Sequence, residues 1–183
     1  IFMALLRFYG CKDGSAIYLN GKNIVSGYHD ISEYRKNIAY VPQEAVLLSG
    51  TLRTSLTKHC TPDQPSNDKS IWDALEKVKM KAKIKSMDSG LDTEVVEGGV
   101  NFSHGERQLL CLARALLNKR ASVVLADEAT ANIDYSSELL VQQVVLGLPM
   151  TVLYICHRLV NLNQFDLVMV MENGEVNKIC KPE

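Results

Sequence analysis

Residues 123–130, Val-Val-Leu-Ala-Asp-Glu-Ala-Thr, set two carboxylates, Asp127 and Glu128, at the end of an apolar run. A buried strand ending in this way delivers acids to a metal-bound phosphate, one acid holding the cation and the next taking a proton from water. Two further apolar runs also end in polar side chains: Ile38–Val41 leads into Pro42 and Gln43, and Thr151–Cys156 leads into His157. Ligands bind beyond the carboxyl ends of strands in open α/β sheets, so these four side chains are expected to share one crevice. Asp127 would hold Mg²⁺ through its water shell, and Glu128 would orient or deprotonate the attacking water. The Gln43 amide would reach both metal and water, and His157 would hydrogen-bond the γ-phosphate or the base. Taken singly, the acids read equally as a solvated strand end and the histidine as a satisfied core residue. The joint arrangement is what favours chemistry.

The phosphate itself lacks a cradle in this sequence. A G-x-x-x-x-G-K-[ST] loop spaces its glycines so that backbone N–H groups converge on the anion. The sole Gly-Lys pair is Gly21-Lys22, with Ala16 at the first glycine position and Asn23 where the metal-binding hydroxyl belongs. That pair reads as a turn between strands. A second anion site is conceivable at Ser103, where Asn-Phe-Ser-His-Gly-Glu offers a hydroxyl, free backbone N–H groups and the positive end of a helix dipole. The plainer reading is a well-capped helix, the cap contributing about 1 kcal/mol.

The elements that must position these residues follow from periodicity. Ile1–Tyr9 reads as the middle of a helix without a capping residue before it, which raises the expectation of a chain cut at its N-terminus. "SAIYLNG" and "NIAYVPQ" read as strands, the second stopped by a proline. "SIWDALEKV" is helical, with Ile71, Leu75 and Val78 on one face and Ser70 and Asp73 placed as a capping pair. Ser103 and Glu106 form a capping box for a stronger helix whose apolar face includes Leu109, Leu110, Leu112, Ala113, Leu116 and Leu117. "SVVLAD" and "TVLYICH" are continuous apolar strands separated by a helical pattern over about 136–146, as in a parallel sheet covered on both faces. Asn173-Gly174 between two β-rich runs signals a terminal hairpin.

Composition narrows the class. The 183 residues are 46% hydrophobic and 22% charged with net charge −1, which suits one soluble globular unit and gives no general nucleic-acid surface. Cys11, Cys60, Cys111, Cys156 and Cys180 are odd in number and lack a Cys-x-x-Cys pair, pointing to reduced thiols in a cytosolic setting. No apolar run approaches the ~20 residues of a membrane span.

In order, these pieces resemble the ATP-binding cassette (ABC) ATPase domain. "VPQE" is similar to the family's Q-loop, "NFSHGERQLLCLARALL" to its signature motif and helix, and "VVLADEAT" to its Walker B strand with the catalytic Glu. "ANID" is similar to the D-loop, ending at Asp134, and "YICHR" to the H-loop. "VPQEAVLLSGTLRTSL" and "LARALLNKRASVVLADEATANID" most resemble the second nucleotide-binding domain of the multidrug-resistance-associated exporters, the C subfamily. The resemblance implies a P-loop NTPase-like α/β fold: a mostly parallel sheet, a helical signature subdomain within about 44–118, and a C-terminal β-hairpin. It also implies a Walker A loop and an adenine-stacking aromatic upstream of Ile1.

ATP and Mg²⁺ would be the ligands. Gln43, Asp127, Glu128 and His157 would serve this domain's own ATP, with Asp127 and Gln43 at the metal. Ser103, Gly105 and Asp134 would contribute to nucleotide sites shared with a partner nucleotide-binding domain. The function implied is ATP hydrolysis driving export by transmembrane domains of the same transporter, on the cytosolic face of a membrane and without nucleic acid. The alternatives are a non-catalytic cassette fragment that docks but cannot bind ATP alone, and a soluble ABC protein. The commonest signature, L-S-G-G-Q, is altered here: His104 replaces the first glycine and Glu106 the amide. A first glycine lets the backbone approach the phosphate of the partner's ATP, where the His104 Cβ adds bulk, and a carboxylate near a triphosphate is unfavourable unless it folds back as the helix cap, so the site served by this signature is expected to be the slow one of two.

Overall fold

The computed structural model describes residues 1–26, 30–58, 66–129, 134–156 and 162–182. In chain order it places α1 (Phe2–Leu5), β1 (Tyr18–Leu19), β2 (Lys22–Asn23), α2 (Ile31–Arg35), β3 (Ile38–Val41), β4 (Gly50–Thr51), α3 (Leu52–Thr57), α4 (Asp68–Lys77) and α5 (Lys81–Lys85). There follow β5 (Glu94–Val95), α6 (His104–Leu117), β6 (Val123–Asp127), α7 (Tyr135–Leu146), β7 (Thr151–Ile155), β8 (Val168–Glu172) and β9 (Glu175–Cys180).

The three apolar runs form one parallel sheet in the order β3-β6-β7, with Val41 opposite Ala126 and Asp127 opposite Ile155. Parallel strands need cover on both faces, and the period of two divides their side chains accordingly. Ile38 and Leu125 pack beneath α1 and α2 with Phe2, Leu6, Ile24 and Tyr34. Ala39, Val41, Val124 and Ala126 face the larger core built by α6, α7 and the helices between β4 and β5. Tyr34 Oη donates to the Leu5 carbonyl at 2.6 Å and Arg35 Nε to the Leu6 carbonyl at 2.9 Å, fastening the short α1 to α2.

Between β3 and β6 the chain builds a helical layer on α6. Thr51 caps α3 through the Thr54 N–H. The predicted capping pair of α4 is corrected: the helix starts earlier, and Asn67, not Ser70, is its N-cap, accepting from the Ser70 N–H at 2.9 Å. Ile71, Leu75 and Val78 are buried together as their spacing predicts. Arg53 ties the layer's ends, donating from Nε to Asp92 at 3.0 Å and pairing with Asp68.

Asn20 and Gly21, both at positive φ (50° and 74°), form the β1–β2 turn, and Lys22 opens β2 opposite Leu19. This is a hairpin turn, as expected, and not a phosphate loop. Asn173 and Gly174 do the same between β8 and β9, with φ of 50° and 82°. This terminal hairpin is a separate sheet that leaves Met169 47% and Ile179 56% exposed, while no strand pairs with the outer edge of β7 among the described residues.

Candidate functional site

Strand register brings the predicted acids and amide together. β3 and β6 end side by side, and the Gln43 Nε2 donates to Glu128 Oε2 at 3.0 Å across 85 residues of sequence. A carboxylate only accepts, so this contact fixes which end of the Gln43 amide faces Glu128 and leaves its oxygen available for another partner. Asp127 closes β6 on the same sheet face as Ile38, Tyr40 and Leu125, the α1 face.

Glu128 departs from strand geometry. Its φ is +44°, in the left-handed region that costs a non-glycine residue about 1–2 kcal/mol. Two features hold it there: the Glu128 N–H donates to the Ile155 carbonyl at 3.0 Å, and Ala129 is fully buried just beyond. The turn sends the Glu128 side chain off the end of the sheet toward Gln43 instead of continuing the alternation of β6.

Sequence reasoning missed Tyr40. Its hydroxyl donates to Asp127 Oδ2 at 3.2 Å, and burial together with the Asp127 charge raises the phenol above its ordinary value. Tyr40 therefore remains a neutral donor to the acid that is predicted to hold the metal. A tyrosine inside an apolar strand carries no signal of this until the register with β6 is known.

The signature end is built differently. Ser103 caps α6, with Oγ accepting from the Glu106 N–H at 3.2 Å while Glu106 Oε2 accepts from the Ser103 N–H at 2.9 Å, which completes the predicted capping box. Glu106 Oε1 pairs with Lys83 of α5. Burial pushes this carboxyl up, but the Lys83 ion pair and the Ser103 N–H outweigh it, leaving Glu106 below the ordinary carboxyl range. Its charge is thus folded back and neutralised. Gly105 meets the start of α7, where a Cβ would stand 2.8 Å from Ser137 Cβ. Asp134 is the N-cap of α7, accepting from the Ser137 N–H at 3.0 Å and from the Ser136 hydroxyl, and the Ser136 hydroxyl first, then Ser137, hold its carboxyl far below its usual value. Ser137 therefore joins Asp134 to Gly105, a link that the sequence did not reveal. His157 lies outside the described residues.

The oxygens of Asp127 and Gln43 suit a hard divalent cation that keeps most of its waters and shares phosphate oxygens, not an all-protein cage. Among the described residues no cluster of three or more His, Cys, Asp or Glu could hold a metal alone.

The sequence profile described as ABC transporter matches residues 1–131, which include β3, α6 and the Asp127-Glu128 pair. The chain belongs to the ABC transporter family. A multidrug resistance protein of Leishmania tarentolae is 36% identical to this ABC chain over 171 residues, 92% of the chain and 11% of that protein. ABC transporter C family member 12 of Dictyostelium discoideum is 38% identical over 100% of the chain and 13% of its own length. The human ATP-binding cassette sub-family C member 8 is 40% identical over 81% of the chain and 9% of its own length. These relatives bear out the resemblance to the C subfamily. The chain spans 9% to 13% of the length of these three proteins. A solved bacterial Atm1-family ABC exporter with ATP bound superposes with a TM-score of 0.84 at 25% identity, over 98% of this chain and 31% of that one. The fold of the ABC chain is accordingly that of a P-loop ABC cassette.

Proposed function

We propose that this ABC chain is the metal- and water-handling part of an ATP-hydrolysing cassette in an exporter. The observation that carries this reading is the Gln43–Glu128 hydrogen bond, formed beside Asp127 at the carboxyl ends of parallel strands. Mg²⁺, when bound, neutralises charge on the β- and γ-phosphate oxygens of ATP. Asp127 and the Gln43 oxygen would hold it, and the Tyr40 hydroxyl would keep the Asp127 carboxylate oriented. Glu128 would take the proton of the attacking water at its carboxylate, with the Gln43 amide fixing the angle at which that carboxylate is presented. We assign His157 to the γ-phosphate side of the same crevice by the family resemblance alone.

The segment within about 44–118, which includes α3–α6, is proposed as the helical subdomain. Ser103, Gly105 and Asp134 would face a second nucleotide-binding domain across a shared ATP. Glu106, being capped and paired with Lys83, contributes little repulsion there, so the expected inequality of the two ATP sites now rests on the bulk of His104. No helix among the described residues is long and apolar enough to cross a membrane, so membrane attachment would come through transmembrane domains outside this chain.

The phosphate cradle is proposed to be carried by sequence not in this chain, on a strand that pairs with the open edge of β7 and covers the exposed apolar side chains of the β8–β9 hairpin. Calorimetry with Mg²⁺-ATP tests this. The 183-residue chain should show no micromolar binding, and a polypeptide that adds a G-x-x-x-x-G-K-[ST] loop and its strand should bind, with Asp127→Asn weakening the Mg²⁺ dependence. Micromolar binding by the 183 residues alone would overturn the assignment of the cradle.

A further inference from the structure

Gln43 is an exposed side chain on a segment that has already left the sheet, because β3 and its pairing with β6 end at Val41. Something other than strand pairing must fix the backbone from which it reaches Glu128. That anchor is Gln108, a fully buried residue on the second turn of α6. Its Nε2 donates to the Pro42 carbonyl at 3.2 Å and to the Gln43 carbonyl at 2.7 Å, so one amide nitrogen holds two consecutive peptide groups. Farther along α6, at intervals of three residues, Cys111 Sγ and Arg114 Nη1 approach the Val46 carbonyl at 3.9 and 3.3 Å. Ala45 and Leu47 are buried below. Residues 42–47 are therefore a strap laid along α6, and the first stitch is at Gln43.

The other end of the Gln108 amide argues against simple core filling. Its Oε1 is buried without a hydrogen-bond partner among the described residues. A buried acceptor left unpaired is unfavourable, and an apolar side chain of similar volume would avoid it, so the donor end must supply what the acceptor end loses. Gln108 also lies only about 7.5 Å along the helix axis from Ser103, at 1.5 Å per residue. One helix thus carries both the Ser103 cap and the contact to the Gln43 carbonyl.

We propose that Gln108 is a positioning residue for Gln43: it fixes the backbone from which the Gln43 amide reaches Glu128, and so ties the base to the helix that starts at Ser103. Its importance for turnover rests on the function proposed above, whereas the positioning itself does not.

Nuclear magnetic resonance on the 183-residue chain tests the positioning without nucleotide. In the unaltered chain, the Gln108 side-chain N–H protons should show through-bond coupling to the Pro42 and Gln43 carbonyl carbons and exchange at least tenfold more slowly than those of Gln43. In Gln108→Leu and Gln108→Glu, the Gln43 side-chain amide signals should move toward those of a free glutamine while β6 and β7 signals stay in place. No coupling in the unaltered chain, or unmoved Gln43 signals in a folded variant, would overturn the proposal. In the full-length transporter, Gln108→Leu should lower kcat about as much as Gln43→Ala, with KM for ATP within threefold. The double variant should be no worse than Gln43→Ala. Additive losses would mean that Gln108 is merely structural. Unchanged turnover in Gln43→Ala would instead contradict the proposed function, leaving the spectra to judge the positioning.

Discussion

An alanine at position 105 drives a methyl group into α7. Its Cβ would stand 2.8 Å from Ser137 Cβ and 2.9 Å from Ser137 Oγ, closer than real Cβ contacts come. The hydroxyl can rotate away, but Ser137 Cβ cannot, because the Ser137 N–H is held by the Asp134 cap at 3.0 Å. The start of α6 must then move away from α7, loosening an interface that buries Leu109, Val141 and Val145 in one core. Overpacking of this kind costs about 1–3 kcal/mol, and replacing glycine by alanine in a helix returns at most about 1 kcal/mol. Gly105→Ala is thus expected to destabilise by about 0–2 kcal/mol net, and each kcal/mol lowers Tm by about 2–4 °C in a chain of this size. Ser137→Gly removes both crowding atoms. In a urea-unfolding double-mutant cycle the pair should recover most of the loss, with a coupling of about 1–2 kcal/mol. A clearly stabilising Gly105→Ala, or strict additivity in the cycle, would refute the close approach and return Gly105 to a role at the nucleotide alone.

Asn67→Ala should cost about 1 kcal/mol in urea unfolding and Ser70→Ala clearly less, since the α4 cap is Asn67; the reverse order would restore the cap expected from sequence. Glu106 contributes stability through a carboxyl held below its ordinary value of 4.5. Protonation therefore favours the unfolded chain: the contribution is intact above about pH 4.5 and is lost as pH falls through the folded-state value. The stability difference between the unaltered chain and Glu106→Gln should be constant from pH 7 to 5 and shrink below, and a pH-independent difference would contradict the Lys83 pairing.

Local signals were the legible ones. Ser103 and Glu106 form their capping box within one helical turn, and the apolar runs before Gln43 and Asp127 are continuous because β3 and β6 have a core on each face. The α4 cap misled because the polar run before it offers several oxygens, and packing of Ile71 and Leu75 selects where the helix starts. Tyr40, Gln108 and Ser137 were illegible for another reason. Tyr40 and Gln108 act on residues 65 to 87 positions away, and Ser137 meets Gly105 only where two helices cross. Nothing in the composition of a strand or a helix interior reports such a contact. The left-handed turn at Glu128 is likewise set by the Ile155 carbonyl of a later strand.

The most direct measurement is Glu128→Gln in the full-length transporter, with nucleotide binding and hydrolysis followed in the same preparation. The replacing amide keeps an oxygen that can accept from Gln43 Nε2, so the 3.0 Å contact and the nucleotide site are retained while the base is lost. Mg²⁺-ATP affinity should stay within a few-fold, and turnover should fall by about 10²–10⁴, the usual worth of a positioned general base. Hydrolysis near the unaltered rate would contradict the assignment of Glu128 as the base and, with it, the reading of this strand end as the catalytic centre.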